Sequence, residues 1–304
     1  MAFLLPEFKP IVINDLTEFN SLLKKYPPRI SEHTFTNLFI WRDYYRFRWA
    51  RAGDFIALKA TDHAGGSYFW GPVGGGDAPE FLAACLEYLE QEGAPDPRIE
   101  RVPASLAEDI ESSGLVAGRD RDQSDYIYRS KDLIELAGRE FHAKKNHLNK
   151  FRKKYSWSYE RITPGIISEC REMETEWCNL KQCQLNPGLA GEERAILDAI
   201  ENIETLNFTG GAIRVNGKIE AFTFGERLNG DTAVIHIEKA NPNIEGLYVA
   251  INQAFVEAEL SSFEFINREQ DLGIPGLRKA KVSYNPVKIN EKFQVRRKDK
   301  RSNP

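Results

Sequence analysis

Four side chains able to carry or orient a proton gather in the last third of the chain. His236 and Glu238 sit two apart in AVIHIEKA, and Glu269 and Asp271 sit two apart in INREQDLGIPGLRKAKVSYNP. Histidine titrates near neutrality and a nearby carboxylate can orient it, so such a set suits proton handling while an amine attacks a carbonyl. Glu269 and Asp271 follow a short apolar strand, and polar groups at strand ends are where ligands bind in open α/β sheets. Asn267 and Arg268 lie beside them. After a turn containing Gly273, Pro275 and Gly276 come Arg278, Lys279 and Lys281, at a helix whose first N–H groups favour anions. Acids for an ammonium and bases for a phosphate or carboxylate would together suit an aminoacyl ester of a nucleotide. The same order of charges also describes an internal salt-bridge network, Glu269 and Asp271 with Arg268, Arg278 and Lys281, that locks the turn. Both readings stand at this level.

The elements that would hold these residues are legible from turns. AIRVNGKIEAFTFGERLNGDTAVIHIEKA contains Asn216-Gly217 and Asn229-Gly230, each between β-prone runs, which predicts two type I′ hairpins. Three antiparallel strands follow, near 208–215, 218–228 and 231–240. A two-residue turn at Asn229-Gly230 would set Gly225 opposite Val234, Thr223 opposite His236 and Ala221 opposite Glu238. One face would then be apolar, with Phe222, Phe224, Ile235 and Ile237. The other would carry Ala221, Thr223, Gly225, His236 and Glu238, lining either a substrate cleft or an exposed strand.

Around this meander the order is helix (166–184), helix (191–206), three strands, helix (GLYVAINQAFVEAEL), strand (FEFIN), short helix and last strand (VKINEKFQV). The first half repeats it. Helices are expected at 15–25 and at 31–42, the second capped by Ser31. A meander through SYFWGPVG comes next, then a helix at 79–92, the strand RIERV, a helix at 105–112 and the strand DQSDYIYR. Element order thus gives a domain at 1–136, a linking segment at 137–155 and a domain at 156–304. The linker, GREFHAKKNHLNKFRKKY, is a basic helix with Phe141, Leu148 and Phe151 as its apolar side. Lys144, Lys145, Asn146 and Arg152 are its candidates for holding an anionic substrate, such as tRNA phosphates or a lipid headgroup. A solvated helix face explains the same charges equally well.

This order is that of GNAT-type acyltransferases, and a tandem pair joined by a basic helix resembles the Fem-type aminoacyltransferases. FHAKKNHLNKFRKKY and NREQDLGIPGLRKAKVSYNP resemble more specifically two segments of the phosphatidylglycerol lysyltransferase C-terminal domain family. The resemblance implies an α+β fold of two tandem GNAT-like domains, each a mixed, mainly antiparallel sheet flanked by helices. It also implies aminoacyl transfer from aminoacyl-tRNA to a lipid, peptide or small-molecule acceptor. Tyr284 stands near the place of the tyrosine that protonates the leaving thiolate in many GNAT enzymes. The usual acyl-CoA loop is replaced by ANPNIEGLYVA, with one glycine and no preceding Arg or Gln. GPVGGG, at the equivalent place in the first copy, reads as a flexible loop or a phosphate cradle. An acyl-CoA-dependent N-acyltransferase and a non-catalytic module binding an anionic ligand are therefore the alternatives.

Bulk properties set the remaining bounds. The net charge of −4 excludes a uniformly basic nucleic-acid glove but permits local basic patches. No apolar run approaches the roughly 18 residues of a membrane span. The start, MAFLLPEFKP, is too quickly polar for a secretion signal. These features predict a cytoplasmic protein, with peripheral association with a membrane as a further expectation. The four cysteines form no CxxC pair and the histidines lack ligand spacing, so free thiols, no metal and no required cofactor are expected. Aminoacyl-tRNA, or acyl-CoA, would enter as donor substrate.

Overall fold

The computed structural model describes residues 4–107, 110 and 113–298. They form two compact units: residues up to Asp125 with those from Asn290 onward, and Tyr126–Ile289. These limits differ from the boundaries expected at 136 and 156. The basic helix folds into the second unit, and the last strand returns to the first. Neither fact has a local signal, because a strand's partner is not written next to it.

In chain order the elements are β1 (Lys9–Pro10), α1 (Leu16–Lys25), α2 (Phe35–Ile40), β2 (Arg48–Ala52), β3 (Phe55–Thr61), β4 (Ser67–Gly74), α3 (Ala78–Gln91), β5 (Ile99–Pro103), α4 (Ala104–Ala107) and β6 (Leu115–Arg129). There follow α5 (Ser130–Glu135), α6 (His142–Lys154), β7 (Trp157–Arg161), α7 (Ile167–Lys181), α8 (Pro187–Glu201), α9 (Ile203–Leu206), β8 (Thr209–Val215), β9 (Lys218–Arg227), β10 (Thr232–Ala240), α10 (Leu247–Glu259), β11 (Phe265–Asn267), α11 (Pro275–Val282) and β12 (Lys288–Arg297). Residues 108, 109, 111 and 112 of the helix expected at 105–112, and the end of the basic tail, lie outside the described residues.

The first unit's sheet runs β1-β2-β3-β4-β5-β12, with β4 and β5 parallel. Its core forms where α3 buries Phe81, Leu82, Cys85, Leu86 and Leu89 at helical spacing against Phe55 and Phe69. The helix expected from Ser31 starts later. Thr34 caps it by accepting the Asn37 N–H at 3.1 Å, while the Ser31 hydroxyl bonds Asp125 at 2.9 Å. Behind that bond lies a buried charge cluster: Lys292 Nζ is 2.5 Å from Glu32 and 2.6 Å from Asp125, all three almost without solvent contact. GPVGGG is not one loose loop. Gly71 to Gly74 belong to β4, and a Cβ at Gly74 would meet Asp54 O at 2.1 Å and at Gly75 the Tyr26 ring at 2.5 Å. Glycine there permits close packing, and Asp77 already caps the following helix.

The second unit's sheet runs from the end of β6 through β11-β10-β9-β8-β7, with β10 and β11 parallel. On one face α10 and α6 pack Leu247, Ile251, Phe255, Leu148 and Phe151 against Ala221, Ala233, Ile235 and Ile266. On the other, Lys239 of β10 places its ammonium 3.4 Å from the Trp177 ring centroid and 2.8 Å from Glu192. Asn216 and Gly217 both take positive φ, 51° and 89°, and Val215 pairs with Lys218, so this hairpin is as expected. Cys178 and Cys183 form a disulfide, contrary to the expectation of free thiols. Left-handed Gln182 ends α7 and doubles the chain back, bringing the two Cα atoms to 5.0 Å. Cys85 and Cys170 are free and buried.

Candidate functional site

The β9–β10 hairpin decides which side chains meet, and it does not close on two residues. Leu228 and Asn229 both donate their N–H groups to Thr232 O, at 2.9 and 3.1 Å. The Asn229 side chain accepts from Asp231 N and Thr232 N, at 3.2 and 3.1 Å. Asn229 closes on its own backbone rather than supplying a positive φ, so the loop has three residues and the register shifts. Val234 pairs with Glu226 and Ile235 with Gly225; the next pairs are Ile237 with Phe224 and Glu238 with Thr223. His236 is thus the extra residue of a β-bulge. Gly225 permits the bulge, since a Cβ there would stand 2.2 Å from Val234 O.

This corrects the expected faces. Ile235 joins the α10 core, while Ile237 shares the other face with Phe224. Glu238, opposite Thr223, lies on the α10 side. Glu226 alternates to the far side, and His236 turns toward it. The exit of β11 follows the same alternation. Arg268 goes to Glu238, whereas Glu269, at φ 56°, goes to His236. The single polar face expected from the sequence is therefore two constellations divided by the sheet.

On the far side, His236 Nδ1 lies 2.8 Å from Glu269 Oε1 and Nε2 lies 3.0 Å from Glu226 Oε1, with the ring 1% exposed. Burial opposes a charge on the ring. The bonds to Glu226 and Glu269 outweigh it and raise the imidazole to about 9. Both ring nitrogens then carry protons, so at neutral pH His236 is a buried imidazolium that ties the bulge to β11. It is not a free base.

On the α10 side, Glu238 bridges two partners. Oε1 accepts from Arg268 Nη2 at 2.9 Å and Oε2 from Asn252 Nδ2 at 2.8 Å. The Arg268 guanidinium lies 4.5 Å from the Tyr284 ring centroid and 5.6 Å from that of Tyr128. Lys144 Nζ sits 4.1 Å from the centroid of Tyr284. Burial, and then the Arg268 charge, pull the Lys144 amine down to about 8 against the attraction of Glu238. Burial pushes the Tyr284 phenol up to about 12, with Arg268 opposing. Arg268 Nη1 and Asn252 Oδ1 are buried without a hydrogen-bond partner. One unused donor and one unused acceptor thus sit on the two partners of Glu238, and Lys144 shares the Tyr284 ring with Arg268. This set can hold a carbonyl oxygen and an ammonium while moving a proton.

Several expected site residues have structural partners instead. Asp271 is fully buried, accepting from Tyr126 Oη at 2.5 Å, from Arg278 Nε and Nη2 at 2.8 Å each, and from Gly273 N at 2.9 Å. Burial would raise its carboxyl, but Arg278, Tyr126 and Gly273 hold it well below the usual range. Lys281 Nζ donates to the carbonyls of Arg268 and Glu269. The Asn267 side chain accepts the Glu269 N–H at 2.8 Å. The acid-then-base segment is thus chiefly an internal latch on the turn into α11, and Lys279 alone among its bases is exposed. Along α6, Lys145 donates to Glu135 O at 2.7 Å, Arg152 to Gln253 Oε1 at 3.0 Å, and Asn146 lies 3.5 Å from His142 Nδ1. Only Lys144 of the four reaches the Glu238 cluster. Asn252, Tyr128 and Glu226 are participants that sequence reasoning missed; the signal for Asn252 was a polar residue inside the apolar run of α10.

Gly246, at φ 85°, opens α10, and a Cβ there would meet His147 O of α6 at 2.6 Å. The α10 N-terminus, where a GNAT donor loop would stand, is packed beneath the basic helix. Among the described residues no helix is long and apolar enough to cross a membrane.

The family model described as phosphatidylglycerol lysyltransferase, C-terminal, matches residues 23–296. A conserved protein of unknown function from Bacteroides thetaiotaomicron has a crystal structure that aligns with TM-score 0.88 and 38% identity, over 96% of this chain and 99% of that one. L-PGS from Bacillus licheniformis aligns with TM-score 0.65 and 15% identity, over 93% and 92%. FemX aligns with TM-score 0.56 and 10% identity, over 95% and 97%. These latter two share the fold, which is the expected α+β tandem of GNAT-like units. An uncharacterized protein of Mycoplasmoides gallisepticum is 24% identical over 178 residues, 57% of this chain, and the match spans only 56% of that relative's length.

Proposed function

Because the chain belongs to the phosphatidylglycerol lysyltransferase C-terminal family, we propose that it is an acyltransferase of the aminoacyltransferase type. In this reading it moves an aminoacyl group from aminoacyl-tRNA to a lipid, peptide or small-molecule acceptor. The observation that carries the reading is the pair of buried, unused polar atoms, Arg268 Nη1 and Asn252 Oδ1, on the two residues that Glu238 bridges. The acceptor's nucleophile attacks the ester carbonyl, forming the new bond to carbon as the bond to the tRNA ribose oxygen breaks. Arg268 Nη1 donates to the oxygen that gains charge, and Asn252 Oδ1 accepts from the α-ammonium. The neutral amine of Lys144 takes the nucleophile's proton, and Tyr284, kept as a phenol, gives one to the leaving ribose oxygen. Glu238 holds Arg268 and Asn252 in place. His236, Glu269 and Asp271 act as positioning residues for β11 and its exit. The exposed bases Lys150, Lys153 and Lys154 face the donor's phosphates.

Acyl-CoA is the less favoured donor, because α6 covers the helix end that its pyrophosphate would need. Purified protein incubated in parallel with labelled aminoacyl-tRNAs and labelled acetyl-CoA tests this. Loss of label from aminoacyl-tRNA to an acceptor, abolished in Arg268→Lys with the fold intact, is the expected result. Transfer from acetyl-CoA alone would replace the proposal. Binding of an anionic ligand without transfer from either donor would identify a non-catalytic module.

A further inference from the structure

The helix α11 is inside out. Among its eight residues none is buried, and the side chains it turns to the body of the unit are bases: Arg278 to Asp271, and Lys281 to the carbonyls of Arg268 and Glu269. The larger aliphatic residues of α11 and of the turns on either side of it face water. Leu272 is 49% exposed, Ile274 51%, Leu277 36%, Val282 49% and Val287 44%. An amphipathic helix that merely covered a core would do the opposite. Concentrated exposed aliphatics mark a surface that has a partner.

The charge around them indicates what that partner is. From Leu272 to Asn290 the chain contains Arg278, Lys279, Lys281 and Lys288 and no acid. Lys279 and Lys288 are exposed. The end of α11 borders the start of the basic helix, where Asn285 donates to Glu140 O at 3.4 Å and Lys144 lies over Tyr284; Arg139 and Glu140, one charge of each sign, are both exposed there. We propose that α11 and its flanking turns, Leu272 to Lys288, form a docking surface for an anionic lipid bilayer. Leu272, Ile274, Val282 and Val287 enter the headgroup boundary while Lys279 and Lys288 lie at the phosphates. Bases alone would suit nucleic acid equally, but aliphatic side chains gain nothing from a phosphate backbone and gain burial in lipid. This surface stands apart from the proposed transfer reaction, since binding is read without tRNA.

The test is sedimentation of the full chain with vesicles of phosphatidylcholine alone or with about one-third phosphatidylglycerol, at two salt concentrations. The expected result is binding to the anionic vesicles that weakens with salt. Lys279→Ala and Lys288→Ala should each reduce the partition coefficient by about fivefold. Ile274→Ser combined with Val282→Ser should reduce it by roughly tenfold or more while leaving the melting temperature unchanged, because both side chains are half exposed. Three outcomes overturn the proposal. One is no preference for anionic vesicles; another is tRNA binding that the serine variant loses without any vesicle binding. The third is a dimer in light scattering that the serine variant converts to monomer, which would make this face a contact between copies of the chain.

Discussion

Replacing His236 with glutamine tests the most consequential correction, that this histidine is a fixed cation. In the folded protein Glu226 and Glu269 raise the imidazole to about 9 against the cost of burial; in the unfolded chain it returns to roughly 6.5. A group held more basic in the folded state stabilises it fully below about pH 6.5, and that stabilisation is lost as pH rises through about 9. At about 1.4 kcal/mol for each pH unit, the interval amounts to roughly 3 kcal/mol. Lys144 and Glu174, both near 8, titrate in the same window. The informative quantity is therefore the difference between wild type and His236→Gln. Urea denaturation from pH 6 to pH 9.5 should show a wild-type advantage that shrinks by about 3 kcal/mol across the range. Labelling the five histidines at Cε1 gives a direct check by NMR, with the signal missing from the variant assigned to His236. A midpoint near 6.5 for that signal, or parallel denaturation profiles, would refute the reasoning and restore His236 as a free base.

Asp271→Asn should destabilise the second unit by about 1–3 kcal/mol, because the fully buried carboxylate loses the charge that the hydrogen bonds from Tyr126, Gly273 and the partly exposed Arg278 stabilise; calorimetry with circular dichroism measures it. If Lys144 acts as the neutral amine, transfer should rise with pH to a plateau with a midpoint about 8. Lys144→Met should lower kcat by about a hundredfold or more with little change in melting temperature. Thiol titration of the unfolded, unreduced protein should find Cys85 and Cys170 only. Reducing the bond between Cys178 and Cys183 should cost about 2 kcal/mol in a urea transition, the value for so short a loop.

Much of the fold was legible because its signals are local. Asn216-Gly217 specifies a hairpin by the two positive φ angles it tolerates, and α3 and α10 announce themselves by apolar spacing. The site was less legible, since its arrangement rests on one inserted residue. A bulge has no periodicity, so alternation counted through His236 puts Glu238 and His236 on one face when the sheet separates them. The second Asn-Gly misled for a related reason: an asparagine can supply a positive φ or bond its own backbone, and the dipeptide does not say which. Asp271 and Arg278 were read correctly as partners in one of two ways, and only burial distinguishes a latch from a binding group. Ser31 looked like a helix cap because the buried Asp125 that claims it lies 94 residues away.

The return of β12 to the first unit has a consequence for biosynthesis. Residues Tyr126–Ile289 are contiguous, so the second unit can fold as soon as its own chain is made. The first unit begins earlier yet must wait, because β5 has no neighbour on that side until Phe293 and Val295 pair with Val102 and Ile99. Until Lys292 arrives, the buried carboxylates of Glu32 and Asp125 have Arg101, 3.3 Å from Glu32, but lack the ammonium that bridges them, which opposes closure of that core. The usual vectorial order, in which the leading domain folds first, is thereby reversed. The half-made first unit, with an open strand edge and an unfilled charge cluster, is the species a chaperone or a protease would meet.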